Sequence, residues 1–144
     1  MKKTNLLASL IAASALLFSA FSFAADETQQ DANGVILSGY DTVAYFTMNK
    51  AVEGDAAISA VHDGAIYRFS SEENRDAFKA DPKKYIPEFG GWCPVALSHG
   101  ELKVGRTNQF TRVDEKLYLN FDKSAQRQFS NNPEPYIFKA KASW

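Results

Sequence analysis

Cysteine is nearly absent. Cys93 is the only one in 144 residues. A single thiol excludes an internal disulfide, a Cys-x-x-Cys redox pair and a closed zinc site built from cysteines. Histidine and methionine are scarce too, at two each. No Gly-rich phosphate loop, Gly-x-Ser-x-Gly elbow or His-Glu-x-x-His helix occurs, so the common signatures of nucleotide binding, α/β-hydrolase chemistry and zinc proteolysis are missing. There is also no basic run. Sixteen basic residues against 17 acidic ones give a net charge of −1, which argues against a nucleic-acid partner.

Hydrophobic length is concentrated at the start. Lys2 and Lys3 precede an uncharged run from Asn5 to Ala25 that carries Leu6, Leu7, Leu10, Ile11, Leu16, Leu17 and Phe18. It ends in Ser22-Phe23-Ala24 before the acidic Asp26-Glu27. A basic start, an apolar stretch and a small-x-small site describe a secretory signal peptide over residues 1–24, and hence a periplasmic protein. The alternative is an uncleaved membrane anchor. No cysteine follows the run to accept a lipid. Cleavage leaves 120 residues, 14 basic and 17 acidic, with a net charge of −3. That length suits one domain, and with a lone thiol the fold must stand on its core alone. Residues 25–34 are polar and read as a flexible lead, and residues 35–144 as the domain.

The remainder repeats itself. At an offset of 51, Tyr67 matches Tyr118, Phe78 matches Phe129, Pro82 matches Pro133, and Tyr85-Ile86 matches Tyr136-Ile137. At an offset of 52, residues 39–44 match residues 91–96, which sets Asp41 against Cys93. These matches predict an internal duplication over about 39–89 and 90–140.

Each copy reads the same way. Asp41 caps a short helix over 42–46. In the second copy Cys93 takes the cap place, Pro94 the first helical place, and Gly100 ends the helix. A hairpin follows, turning at His62-Asp63-Gly64 and at Asp114-Glu115, with apolar residues alternating as on strands with one buried face. A capped helix closes each copy. Ser70 or Ser71 opens the first and Asp122 the second, and Asp81-Pro82 and Asn132-Pro133 stop them. The expected fold is α+β: two helix–hairpin–helix units packed as one small domain about a pseudo-twofold axis.

Several blocks resemble secreted YHS-domain proteins. They are Gly39-Tyr40-Asp41-Thr42-Val43-Ala44-Tyr45-Phe46, then Tyr67-Arg68-Phe69-Ser70-Ser71-Glu72-Glu73 through Phe78 with Asp81-Pro82 and Tyr85, then Phe89-Gly90-Gly91-Trp92-Cys93, and Lys116-Leu117-Tyr118-Leu119-Asn120. The likeness covers nearly all of residues 35–144. Thr42 departs from it, standing where proline is usual. The resemblance implies a heavy-metal-binding module, copper among the candidates, with no firm catalytic activity.

Cys93 is the first candidate residue. A thiol at a helix N-cap faces free amide donors and the positive end of the helix dipole, so thiolate is favoured. Gly90 and Gly91 let the backbone come close. Burial as a small apolar residue is the competing reading. Asp41 is the counterpart of Cys93, facing it if the pseudo-axis runs near both, or serving as an ordinary cap. Tyr40 and Trp92 would wall a small pocket or pack in the core. Along a helix, His99 would stand about 9 Å in rise from Cys93, too far to share a metal, whereas an irregular path between them would make the pair possible. His62 sits in a hairpin turn. One Cys, two His and Met48 make the inventory of a blue-copper site, but they are scattered through the wrong kind of fold.

The leading expectation is a site for copper or another thiophilic ion anchored on Cys93, with Asp41, His99 or His62 as further ligands. The alternative is a non-catalytic module that engages a periplasmic partner protein and merely packs its cysteine. Thiol catalysis ranks last, because a lone cysteine has neither a resolving thiol nor an assured base. Oligomeric state has no sequence signal, and after signal cleavage no membrane segment is expected.

Overall fold

Proline, glycine and capping side chains punctuate the chain, and the elements follow that punctuation. The computed structural model describes residues 28–144. The expected signal segment over residues 1–24, and residues 25–27, lie outside the described residues. From Thr28 the lead is tied to the body: Gln29 N–H donates to Gly90 C=O at 2.7 Å, and Asp31 organises a turn closed by its bonds to the amides of Asn33 and Val35.

The first half opens with a 3-10 turn, Leu37–Gly39, and helix α1, Ala44–Thr47. Strands β1 (Asp55–His62) and β2 (Ala65–Phe69) form an antiparallel hairpin, with an irregular register between Asp55 and Ser59. Helix α2, Glu72–Ala80, is capped by the Ser71 side chain, and α3 spans Pro82–Tyr85. The second half repeats that order. A 3-10 turn at Glu88–Gly91 leads to α4 (Pro94–Ser98), then to the antiparallel pair β3 (Phe110–Val113) and β4 (Lys116–Leu119). Helix α5, Lys123–Asn131, is capped by Asp122, and α6 spans Pro133–Ser143. The protein is thus mixed α+β, with two separate two-stranded sheets.

Helices α3 and α6 go beyond the helix–hairpin–helix expectation. Pro82 and Pro133 do stop the preceding helices. Each then starts a new one, because a missing N–H and a fixed φ suit the first helical position.

Two apolar clusters form the core. The first gathers Ile36, Val43, Tyr45, Tyr67, Phe69 and Phe78 with Leu117 and Leu119 from β4. The second gathers Phe89, Cys93, Leu97, Tyr118, Phe129 and Ala140. Strand side chains alternate sides, so β4 sends its leucines to one cluster and Tyr118 to the other. It is therefore buried on both faces, not on one. Each fully buried large side chain contributes roughly 1.5–3 kcal/mol, and β4 joins the two stores. Among the described residues, no helix is long and apolar enough to cross a membrane.

Candidate functional site

The Cys93 site is made by backbone that few residues tolerate. Phe89, Gly90 and Gly91 all have positive φ (+53°, +58° and +88°), which turns the chain sharply ahead of the thiol. Gly105 lies opposite. A Cβ there would stand 2.3 Å from the Leu119 Cβ and 2.6 Å from the Gly91 oxygen, so only glycine lets the 99–105 loop close. Gly105 N–H then donates to Gly91 C=O at 3.0 Å, and Cys93 N–H donates to Lys103 C=O at 2.9 Å. These bonds bring the loop after α4 back over the cysteine.

Cys93 caps α4 by position and makes no side-chain cap bond. It is only 1% exposed and packs in the second cluster. Yet it also lines a cleft of about 300 Å³. His99, Glu101 and Lys103 come to this cleft from the returning loop, and Phe121, Asp122 and Gln128 from the end of β4 and from α5. The rim is charge-balanced. Lys103 Nζ lies 3.3 Å from Glu101 Oε2 and 5.1 Å from the centre of the Phe121 ring. Asp122 is committed to its helix, accepting the Ala125 N–H at 2.7 Å.

Asp41 lies in a different setting. It is wholly buried, and its carboxylate accepts five hydrogen bonds. The amides of Val43 (2.9 Å) and Ala44 (3.2 Å) donate to one oxygen. Ser70 N–H (2.8 Å), Ser70 Oγ (2.6 Å) and Asn74 Nδ2 (2.8 Å) donate to the other. One side chain thereby caps α1 and ties it to the β2–α2 junction. Every one of these donors lies in the first half, whereas the residues that line the Cys93 cleft all lie in the second.

Of the proposed metal ligands, the structure brings Cys93 and His99 to one cleft. Cys93 is the N-cap and His99 the C-cap of the five-residue helix α4, so the two residues border the cleft from opposite ends of that helix. His62 stands apart at the end of β1, its ring edge-on to Phe78 at 6.0 Å and its Nε2 3.3 Å from Asp63 Oδ2. Tyr40 lines a cleft of about 570 Å³ beside Arg106, and Gly90 one of about 420 Å³ beside His62. Trp92 packs against the second cluster, and Gly91 is closed off by its bond from Gly105. Among the described residues, no group of three or more His, Cys, Asp or Glu side chains could hold a metal ion.

The cleft residues that sequence reasoning passed over are Glu101, Lys103, Phe121 and Gln128. A signal for part of this was present. Fifty-one places after Ser70 and Asn74 stand Phe121 and Ala125, neither with a side-chain donor. Where Asp41 has partners, Cys93 has hydrocarbon and open space. No family model, curated protein or solved structure matches the chain.

Proposed function

We propose that this is a periplasmic YHS-type module, made by duplication, that holds one thiophilic ion such as copper(I) on Cys93 with His99 as second ligand. The observation that carries this reading is the shared cleft, which Cys93 and His99 both line. Thiolate and imidazole form a soft to borderline donor set, and copper(I) accepts few ligands.

The duplication draws support from paired bonds. Tyr40 N–H donates to Leu37 C=O and Trp92 N–H to Phe89 C=O, while Gly54 N–H meets Gly39 C=O as Gly105 N–H meets Gly91 C=O. Asp41 N–H reaches Val52 C=O as Cys93 N–H reaches Lys103 C=O. Within such a pair, replacing Asp41, Ser70 and Asn74 by Cys93, Phe121 and Ala125 removes one structural lock and leaves room for a ligand.

Anaerobic copper(I) titration tests the reading. The protein is expected to take up one equivalent, Cys93→Ser to lose it, and His99→Ala to weaken it at least about tenfold. Equal weak uptake by all three would overturn the metal reading. A second reading, an interaction module with a packed cysteine, is favoured by the near-complete burial of Cys93. It predicts a thiol that reacts with a labelling reagent only after unfolding.

A further inference from the structure

We propose that a second cleft, between the first hairpin turn and the second 3-10 turn, binds an organic cation: a primary or quaternary ammonium group. The cleft holds about 420 Å³, within the roughly 300–1,000 Å³ of small-molecule sites. Its wall is aromatic and acidic, carrying the rings of His62, Tyr67, Phe89 and Trp144 and the carboxylates of Asp63 and Glu88. No lysine or arginine lines it.

Each part of that wall suits a cation. Phe89 and Trp144 meet edge to face, centroids 5.9 Å apart at 76°, and form a corner that presents ring surface. Ring faces attract ammonium groups through their quadrupole, most strongly where water is excluded. Phe89 and Tyr67 are buried, at 7% and 3% exposure, and back the wall, so the ring surface open to a ligand is chiefly that of Trp144, which is 36% exposed. Asp63 is open to solvent at the rim, where a carboxylate draws a cation in without a heavy desolvation cost. Burial first, and then Asp63, disfavours the phenolate of Tyr67, and burial first, and then Glu88 and Asp114, that of Tyr118. Anions are repelled by this arrangement, and neutral apolar molecules gain nothing from Asp63 and Glu88.

The site is independent of Cys93 and separable from it. Choline is the probe, and its uncharged isostere with carbon in place of nitrogen is the control, both followed by NMR of the indole N–H signals and by calorimetry. Choline is expected to shift the Trp144 signal and leave Trp92 in place, with affinity falling as salt rises. The isostere is expected to bind at least about threefold more weakly. Trp144→Ala, Glu88→Gln and Asp63→Asn should each weaken choline about threefold to tenfold. Cys93→Ser should bind choline as the unaltered protein does. Equal binding of choline and isostere, or no movement of the Trp144 signal, would sink the proposal. If Trp144→Ala lost structure, the two carboxylate variants and the isostere would still decide it.

Discussion

Asp41 shows how much a single side chain can organise. A buried carboxylate without a cationic neighbour is costly unless its oxygens are filled, and here five donors fill them. Ser70 and Asn74 would lose their acceptor with it, and since Ser70 is exposed and Asn74 half-buried, water would replace part of that loss, whereas the Val43 and Ala44 amides are left inside the core. Asp41→Ala should therefore cost roughly 3 kcal/mol or more, well beyond the loss of an ordinary cap. A shift of the urea midpoint with an unchanged slope measures it, while copper uptake by the folded fraction should persist. A cost near 1 kcal/mol would reduce Asp41 to a simple cap. Cys93 occupies the related place with none of these bonds. The same backbone position thus serves cohesion in one half and stands beside an open cleft in the other.

Elements were legible wherever local chemistry decides them. Ser71 and Asp122 announce α2 and α5, and both hold the amide three residues on, Asn74 at 3.1 Å and Ala125 at 2.7 Å. Ser71→Ala and Asp122→Ala should each lower stability by roughly 1 kcal/mol. The caps sit in different halves and share no partner, so the double variant should lose the sum within about 0.5 kcal/mol. Chemical denaturation of the three variants checks both statements, and a strongly non-additive result would mean that the halves are coupled at their helix starts. What stayed hidden depends on distant parts of the chain. The prolines at 82 and 133 read only as an end, although proline behind a capping residue also suits a helix start, as at Pro94, so the local sign was ambiguous. The alternation along β4 reported one apolar face, while Tyr118 is buried by residues far away in sequence. The cleft was half visible. Cys93 stood out, but Glu101 and Lys103 reach it only through the loop that Gly105 allows to close, and His99 lines it from the far end of α4.

At the scale of the molecule, the two clusters behave as one body because β4 belongs to both, with Leu117 and Leu119 in one and Tyr118 in the other. The phenols inside them make this testable by pH. Burial, reinforced by Asp63, pushes Tyr67 up to about 12, and burial with Glu88 and Asp114 does the same for Tyr118. Tyr45 is raised further, by burial first and then by Tyr40 and Asp41, and its hydroxyl donates to Thr107 C=O at 2.7 Å. An unfolded phenol loses its proton near pH 10. Between pH 10 and 12 the unfolded chain therefore binds fewer protons than the folded one, and stability must fall as pH rises. Below pH 10 the contribution is complete and flat. Each fully buried phenol takes about 1.4 kcal/mol per pH unit, and the partly solvated Tyr118 less, so the three together remove several kcal/mol, a large share of the roughly 5–15 kcal/mol of a typical domain. The expected result is a single alkaline transition between pH 10 and 12, in which loss of far-ultraviolet circular dichroism coincides with the late part of the phenolate absorbance. Two separated steps would mean that β4 does not couple the clusters. Full phenolate absorbance in a still-folded protein would mean that water reaches Tyr45, Tyr67 and Tyr118 without opening the core.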